Sequence, residues 1–261
     1  MTSLVDILPH VTPFAAILAR VAGLFLFTPI LSSVLLPIPV RAMVVVMLTA
    51  ALYPMADVSQ LLDARLDVME LAPLMATESL IGLSLGLLAS VPLMLVQVAG
   101  VVMGQQMGLS LGQAFNPALD IEAENIGQFL FFMGIASFLA MGGLEIVFSA
   151  LVTTFTLVPA GAFALNEAPL DVLTGLLESG MDLALRVSLP VLAIIFVETV
   201  AVGVLMKTVP GLNILSFGFP IRILAGLAAF IAGLTMISVA LENEITVALD
   251  AMQDWAWSLA R

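Results

Sequence analysis

The stretch 71-LAPLMATESLIGLSLGLLASVPLMLVQVAGVV-102 decides the fold class of this chain. It is apolar along its whole length, and its only charged residue is Glu78. As a helix it would extend about 48 Å at roughly 1.5 Å per residue, which is longer than a bilayer core of roughly 30 Å. We therefore predict a long membrane-crossing helix, which Pro92 is expected to bend.

The composition of the whole chain supports a membrane protein. Of its 261 residues 62% are hydrophobic and 10% are charged, whereas soluble domains have about 45–50% apolar and about 25% charged residues. The apolar runs are continuous, and strands of a membrane barrel would alternate apolar and polar residues. Helices satisfy their own backbone hydrogen bonds in lipid. The predicted fold class is therefore all-α and membrane-associated, built from long helical hairpins.

Rare residue types exclude several functions. There is no cysteine, so disulfides and cysteine-based metal sites are excluded, and the only histidine, His10, is expected to be structural or solvated. The net charge of −12 argues against nucleic acid as a partner. The sequence contains no P-loop, no H-E-x-x-H and no G-x-S-x-G pattern. We expect no enzymatic activity, no catalytic residue, no cofactor and no metal.

Prolines and charges divide the rest of the chain into further runs. The apolar runs besides the opening stretch are 14–36, 42–52, 126–159, 187–206 and 214–241. The first has no Lys or Arg before Arg20, so we expect it to stay in the protein instead of being removed as a signal peptide. The run 42–52 is short for a span, which predicts a half-crossing or a helix packed inside the protein.

Three other features along the chain carry expectations. Gly142-Gly143 is a predicted weak point in the run 126–159. The segment 161–186 is more polar than its neighbours and leads into the fifth run. The last twenty or so residues, 242–261, alternate an apolar with an acidic face, which predicts an interfacial amphipathic helix.

Polar residues inside apolar runs are candidates for function because an ionisable group at membrane depth is costly. They are Arg20, Glu78, Gln97, Glu145 and Glu198. One interpretation is that each binds a neighbouring helix or subunit. The other is a proton relay, in which Glu78, Glu145 and Glu198 would serve a proton-coupled secondary transporter. Such transporters commonly have internal repeats, and no clear repeat links the two halves of this chain.

Small residues recur every fourth position in three places, which lets helix backbones approach closely. The stripes are Gly82-Gly86-Ser90, Gly100-Gly104-Gly108-Gly112 and Ala225-Ala229-Gly233. The residues predicted to pack closely are Gly82, Gly86, Gly100, Gly226 and Gly233. The neighbours can be helices of this chain or of partner subunits, and the pattern leaves both open.

A series of motifs runs along the chain: Arg20-x4-Phe25-x3-Pro29 with Pro37-x-x-Val40-Arg41, then Gln97, Gly100, Gln106-Met107-Gly108 and Asn116-Pro117, then Phe155 and Pro159-x-Gly161, and finally Pro190, Gly203, Lys207-x2-Pro210-x2-Asn213 and Gly218-Phe219-Pro220 with Arg222. Their order resembles the FliR family, the export-gate subunit of flagellar type III secretion, with its SctT injectisome relatives. The last group is the most specific. This chain differs from the usual family pattern at two places. It has Met141-Gly142-Gly143 where the family often has Asn-Gly-His, and it has Arg222 where the family often has Lys.

The resemblance implies a hetero-oligomeric helical gate in the bacterial inner membrane, at the flagellar basal body. FliP-like and FliQ-like subunits and an FlhB-like protein at the cytoplasmic mouth would be the partners, and unfolded export substrates would pass. Residues 1–186 would be FliP-like and residues 187–261 FliQ-like. The polar residues between helices or subunits would be Arg20, Arg41, Glu78, Gln97, Glu198, Lys207, Asn213 and Arg222.

The resemblance also implies a plug in the pore, formed by the segment of about 104–124. The expected plug residues are Gly104, Gln105, Gln106, Met107, Gly108, Leu109, Gly112, Phe115, Asn116 and Pro117. Glycines allow tight packing and conformational change, and a methionine gives an adaptable seal. Irregular backbone at membrane depth survives only inside protein or a water-filled cavity. The alternative to a plug is an ordinary exposed loop. The alternative to a flagellar role is a role in an injectisome.

Overall fold

The computed structural model describes residues 4–31, 37–62, 68–109, 125–163, 168–208 and 214–259, and the secondary structure in these ranges is helical. The helices are α1 Leu4–Phe27, α2 Ile38–Leu52, α3 Ser59–Leu62, α4 Val68–Met107, α5 Asn125–Ala140, α6 Gly143–Leu157, α7 Leu170–Thr208 and α8 Ile214–Ser258, with a 3₁₀ turn at Tyr53–Met55. The all-α prediction is confirmed.

By length and composition, five of the described helices can cross a membrane, and the number is six if α5 and α6 together form one span. The stretch 71–102 lies in the candidate span Leu71–Met107. Of the five candidate spans this one is the most buried within the chain, since 61% of its most apolar window is buried. The expectation of membrane association is confirmed by these helices.

Helix α2 is longer than the apolar run suggests. It begins at Ile38 because Pro39 occupies the first turn, where proline is compatible with a helix. With the 3₁₀ turn it forms an apolar segment Ile38–Met55 whose window is 11% buried in this chain. The predicted short length is therefore wrong, because residues before Ala42 and after Leu52 extend the segment. Whether other proteins cover it stays a prediction.

The break between α5 and α6 lies where the glycine pair predicts it. Gly142 has a φ of 73° in the left-handed region and precedes the first residue of α6. Residues with a side chain rarely adopt a positive φ, so a glycine at this position permits the turn. The predicted weak point is confirmed.

Helix α7 begins at Leu170, well inside the segment that the sequence shows only as polar. Asp171, Glu178, Asp182 and Arg186 recur at intervals of seven and four residues, which places them on one face of a helix. Their combined polarity hides the helical period, so the apolar run marks only the second half of α7.

Helix α8 continues without interruption through the predicted tail helix to Ser258. The apolar face of this last part is buried in the protein, since Leu249 is 3%, Met252 0% and Trp255 5% exposed. An amphipathic helix can cover its apolar face with lipid or with protein. The amphipathic helix is confirmed as the end of α8, where protein covers these three side chains and Trp257 is 61% exposed. Its position at a membrane interface stays a prediction.

The chain forms two compact units by contact, Met1–Val91 with Leu139–Leu176 and Thr246–Arg261, and Pro92–Phe138 with Leu177–Ile245. In the first unit α1 and α4 run parallel, because Arg20 meets Gly82 and Leu24 meets Gly86. In the second unit α4 and α5 run antiparallel, because Gly100 meets Gly127 and Leu93 meets Gly134. The predicted division after residue 186 concerns resemblance to other subunits and stays a prediction.

Candidate functional site

A completely buried ion pair joins α1 to α4 in the first unit. Nε of Arg20 donates to Oε2 of Glu78 at 2.7 Å, and both side chains are 0% exposed. The guanidinium also donates to Oγ1 of Thr154 at 3.3 Å and to the carbonyl oxygen of Val158 at 3.4 Å. Its Cζ lies 4.4 Å from the centre of the Phe155 ring, an attractive cation–π distance. The cation therefore binds the C-terminal turn of α6 as well as α4.

The second oxygen of Glu78 binds a turn of the main chain. Oε1 accepts a hydrogen bond from the backbone N–H of Gly161 at 2.7 Å. Gly161 has a φ of 91°, a conformation suited to glycine. Because buried charges are stable only when paired and hydrogen-bonded, this group fixes α1, α4, α6 and the turn after α6 together. We name Arg20, Glu78, Thr154, Phe155 and Gly161 the Arg20 cluster.

Glycines make the close approach of α1 and α4 possible around this cluster. A Cβ at Gly82 would lie 1.8 Å from the carbonyl oxygen of Arg20, and one at Gly86 would lie 2.7 Å from that of Leu24. Gly23 on α1 does the same, at 2.3 Å from the carbonyl oxygen of Ser79. In the structure Gly82 and Gly86 lie in close helix packing, and Gly23 belongs with them. Gly23 was missed, although Ala15, Ala19 and Gly23 form a small-residue stripe of the same kind as Ala225-Ala229-Gly233.

A second ion pair joins α7 to α8. Nε of Arg222 donates to Oε2 of Glu198 at 3.2 Å, and a terminal nitrogen of Arg222 donates to Oγ1 of Thr199 at 2.6 Å. The Glu198 side chain is 8% exposed and that of Arg222 27%. They line a cavity of about 240 Å³ with Gly203 and Gly218. Partial exposure makes this pair weaker than the Arg20 cluster.

The three carboxylates of the transporter interpretation have separate environments. Glu78 binds Arg20 and Gly161, and Glu198 binds Arg222. Glu145 is exposed in the first turn of α6. Two of the three are therefore neutralised by their own arginine, which fits the interpretation of local pairing better than a relay.

The predicted plug begins at the end of α4. Gly108, with a φ of 81°, ends the helix. The N–H of Gly108 binds the carbonyl oxygen of Gln105 at 3.0 Å and that of Leu109 binds Gly104 at 3.1 Å, the pair of bonds of a Schellman cap. Gly108 is thus a helix terminator, whereas the sequence pattern groups it with the packing glycines. Gln105 and Gln106 are exposed.

Met107 is 0% exposed and covers Gly226 of α8, where a Cβ would lie 2.6 Å from its Cγ. Gly226 and Gly100 therefore lie in close packing, the latter with a Cβ position 2.5 Å from Cα of Gly127. Gly112, Phe115, Asn116 and Pro117 lie outside the described residues. Whether 104–124 closes a pore stays a prediction.

The remaining predicted residues have no common site. Arg41 is half-buried in the first turn of α2, and Lys207 is exposed in the last turn of α7, where a cation favours the helix dipole. The carbonyl oxygen of Gln97 lies 2.7 Å from the Cβ position of Gly127. Among the described residues, a Cβ at Gly233 would meet only Ile237 of its own helix, at 3.9 Å, so the described part of the chain gives no close packing there. Asn213 lies outside the described residues.

No group of three or more His, Asp or Glu side chains that could hold a metal ion occurs within the described ranges. The ion pairs between described helices, Arg20–Glu78 and Arg222–Glu198, are both arginine–carboxylate pairs. Arginine pairs with carboxylates through a rigid fork of donors, and such contacts hold helices in place.

Comparison with known proteins gives one family and several relatives. A family model described as "Bacterial export proteins, family 1" matches residues 11–247. "Flagellar biosynthetic protein FliR" of Bacillus subtilis is 24% identical over 97% of this chain and 97% of the relative. The protein of the same name in Escherichia coli is 27% identical over 91% and 90%. "Surface presentation of antigens protein SpaR" of Salmonella typhimurium is 25% identical over 97% and 94%.

Proposed function

Since this chain belongs to the bacterial export proteins, family 1, we propose that it is a non-enzymatic subunit of a type III protein export gate. The observation that carries the proposal is the extent of the match. The family model covers residues 11–247, and the similarity to the Bacillus subtilis relative covers 97% of both chains. The comparison therefore concerns nearly all of this chain and not one shared hairpin.

A flagellar role is the first choice within this proposal. Two relatives that match over at least nine-tenths of their length have the word flagellar in their names. SpaR is 25% identical and does not carry that word in its name. An injectisome role is therefore the second candidate, and the basal body of the bacterial inner membrane is the proposed location.

The uncovered apolar surface of α7 and α8 supports assembly with other membrane proteins. Only 17% of the most apolar window of each helix is buried within the chain, against 61% for α4. Large side chains such as Phe196 (70% exposed) and Leu224 (67%) are left uncovered. Lipid or subunits must cover such surface, and FliP-like, FliQ-like and FlhB-like proteins are the proposed partners, with unfolded substrates passing between them.

The segment 104–124 is the proposed plug of this gate. Its described start fits a change of chain direction inside protein, because α4 ends in a glycine cap and Met107 anchors that end on Gly226. Two exposed amides, Gln105 and Gln106, precede the cap. Exposed amides are costly in lipid and cheap beside water, so this end of α4 suits the wall of an aqueous passage.

Purification from the native host tests the proposal. A tagged chain should be recovered from mild detergent in a large hetero-oligomer with other secretion membrane proteins. Deletion of its gene should abolish flagellar protein export, and re-expression should restore it. A chain that elutes alone, binds a small solute and leaves export unchanged when deleted would contradict the proposal and favour a transporter.

A further inference from the structure

A groove between α7 and α8 combines apolar and polar lining residues with a carboxylate oxygen to which no described residue donates a hydrogen bond. Its larger part is a cavity of about 650 Å³ lined by Ser179, Asp182, Leu183 and Arg186 of α7 and by Ala232, Thr235, Met236, Val239, Ala240, Asn243 and Glu244 of α8. A smaller cavity of about 140 Å³ shares Arg186, Met236 and Ala240 with it and includes Gly233. We call these two cavities the Glu244 groove.

The shape of the groove suits a helix. Along α8 its lining residues recur every three or four positions from Ala232 to Glu244, a length of about 18 Å at roughly 1.5 Å per residue. The wall has small residues at Ala232, Gly233 and Ala240. Met236 and Val239 remain 64% and 55% exposed. Small residues beside exposed apolar ones are typical of surfaces on which a second helix packs.

The charges in the groove are not balanced. Asp182 and Arg186 form an ion pair with each other, one turn apart on α7. That pairing leaves Glu244 as the negative charge in the lining without a cation. Its Oε1 is buried, and no described residue donates a hydrogen bond to it. A buried carboxylate oxygen without a donor is unfavourable, and a buried unsatisfied group in a native protein requires a reason.

We propose that the Glu244 groove binds a membrane helix of a partner protein, and that a Lys or Arg of this helix pairs with Glu244. Charge complementarity selects this occupant, because an apolar helix without a cation would bury Glu244 further and leave it unpaired. The inference rests on the proposed function, because it requires a partner protein in the membrane. Beyond that function, it names Glu244 as the position of one contact and a Lys or Arg of the partner as its chemistry. A lipid with an amine head group is the competing occupant.

The first experiment compares two neutralising substitutions in the tagged full chain, purified from its host membrane. Glu244→Gln removes the charge in the groove. Glu242→Gln is the matched control, because Glu242 is exposed on the same turn of α8 and binds Ser238 of its own helix. We expect Glu244→Gln to lower the recovery of one partner by about tenfold or more and Glu242→Gln to leave it unchanged. Equal recovery with both variants overturns the inference.

A stability measurement separates pairing with a partner from a structural role inside the chain. Without partners, Glu244→Gln should keep or raise the thermal midpoint of the isolated chain in detergent, since it removes a half-buried charge whose Oε1 has no hydrogen-bond donor among the described residues. If Glu244 instead stabilised the isolated fold, the midpoint would fall and the inference would be overturned.

The third experiment identifies the occupant. A photo-crosslinking amino acid at Thr235 should attach to a segment of a partner helix that contains Lys or Arg. Glu244→Lys should then abolish recovery of that partner, and exchange of the partner's cation for Glu should restore it. Attachment to lipid alone overturns the inference. If wild-type protein recovers secretion partners and Glu244→Gln does so equally, only this inference fails; if wild type recovers none, the proposed function fails.

Discussion

Nε of Arg20 and Oε2 of Glu78 are 2.7 Å apart, and neither side chain has any exposed surface. The two residues lie on parallel helices, 58 positions apart in the sequence. Their contact is the only fully buried ion pair between the helices that the structure describes. It holds the first apolar run against the stretch that decides the fold class.

Glu78→Gln should strongly destabilise the chain, because it leaves the Arg20 guanidinium buried without a counter-ion. Removing one partner of a buried pair costs about 3–5 kcal/mol. The free energy of unfolding in detergent, or the thermal midpoint, measures the effect. Glu145→Gln is the control, since Glu145 is exposed on α6, and it should change stability by less than about 0.5 kcal/mol.

The double variant Arg20→Met with Glu78→Gln should be less harmful than Glu78→Gln alone. Both charges are then absent, and a polar amide with an apolar side chain replaces them at similar volume. A double variant that is as unstable as the sum of the two single variants would show that Arg20 and Glu78 act independently, and would contradict the pairing.

Gly82→Ala should push α1 and α4 apart. Its Cβ would lie 1.8 Å from the carbonyl oxygen of Arg20, and backbone cannot yield as a flexible side chain does. Overpacking costs about 1–3 kcal/mol or more, so the thermal midpoint should fall. Gly175→Ala on α7 has nothing within 4 Å of the new Cβ and should raise helix stability by roughly 0.5–1 kcal/mol. A fall with both variants would mean that helix approach is not the cause.

Gly108→Ala should weaken the end of α4, because a φ of 81° costs a residue with a Cβ about 1–2 kcal/mol. Gly108→Asn should be milder, since asparagine tolerates this conformation better. Hydrogen exchange of the amides at positions 108 and 109, the donors of the two Schellman bonds, measures the cap. Exchange at the wild-type rate in both variants would indicate that Gly108 is not needed to hold this helix end.

Deletion of residues 108–116 should raise ion leak through the assembled gate if the segment closes a pore. Membrane conductance of cells that express the variant measures it, and co-purification of partners verifies that the gate still assembles. Unchanged conductance with normal assembly would contradict the plug and favour an exposed loop.

Arg222→Lys should weaken the contact between α7 and α8 by about 1 kcal/mol, because an ammonium group cannot reproduce the forked bonds of arginine to Glu198 and Thr199. The value is modest since the Arg222 side chain is 27% exposed. Thr199→Val removes one of the two bonds and should show part of the loss in the same unfolding measurement. A loss with Thr199→Val that exceeds that of Arg222→Lys would contradict this assignment.

The sequence predicts the fold class well, but it does not predict whether lipid or protein covers the apolar face of a helix. Continuous apolar runs indicate the long helices, and Gly142 marks their break, because both signals are local. The acidic-apolar tail shows which face of the helix is apolar, but the same pattern arises whether lipid or protein covers it. Met252 and Trp255 are covered by protein.

The candidate site is only partly predictable, because its charged residues give a local signal in the sequence and their partners do not. A charge inside an apolar run indicates that Arg20 and Glu78 need partners. The identity of those partners depends on how α1 and α4 align, and that alignment comes from backbone contacts at Gly23 and Gly82. Oγ1 of Thr154, which accepts from Arg20, and the N–H of Gly161, which donates to Glu78, complete the group. No local signal distinguishes these two groups from other polar groups of the chain.

The Arg20 cluster also has a consequence for biosynthesis. Arg20 emerges from the ribosome in the first span, while Glu78 follows 58 residues later and Thr154 134 residues later. At about 5–20 residues per second the carboxylate arrives roughly 3–12 s after the arginine. An arginine at the centre of a lone helix opposes insertion by about 2.5–3.5 kcal/mol. The first helix therefore gains its stable place in the bilayer only when later parts of the nascent chain reach it.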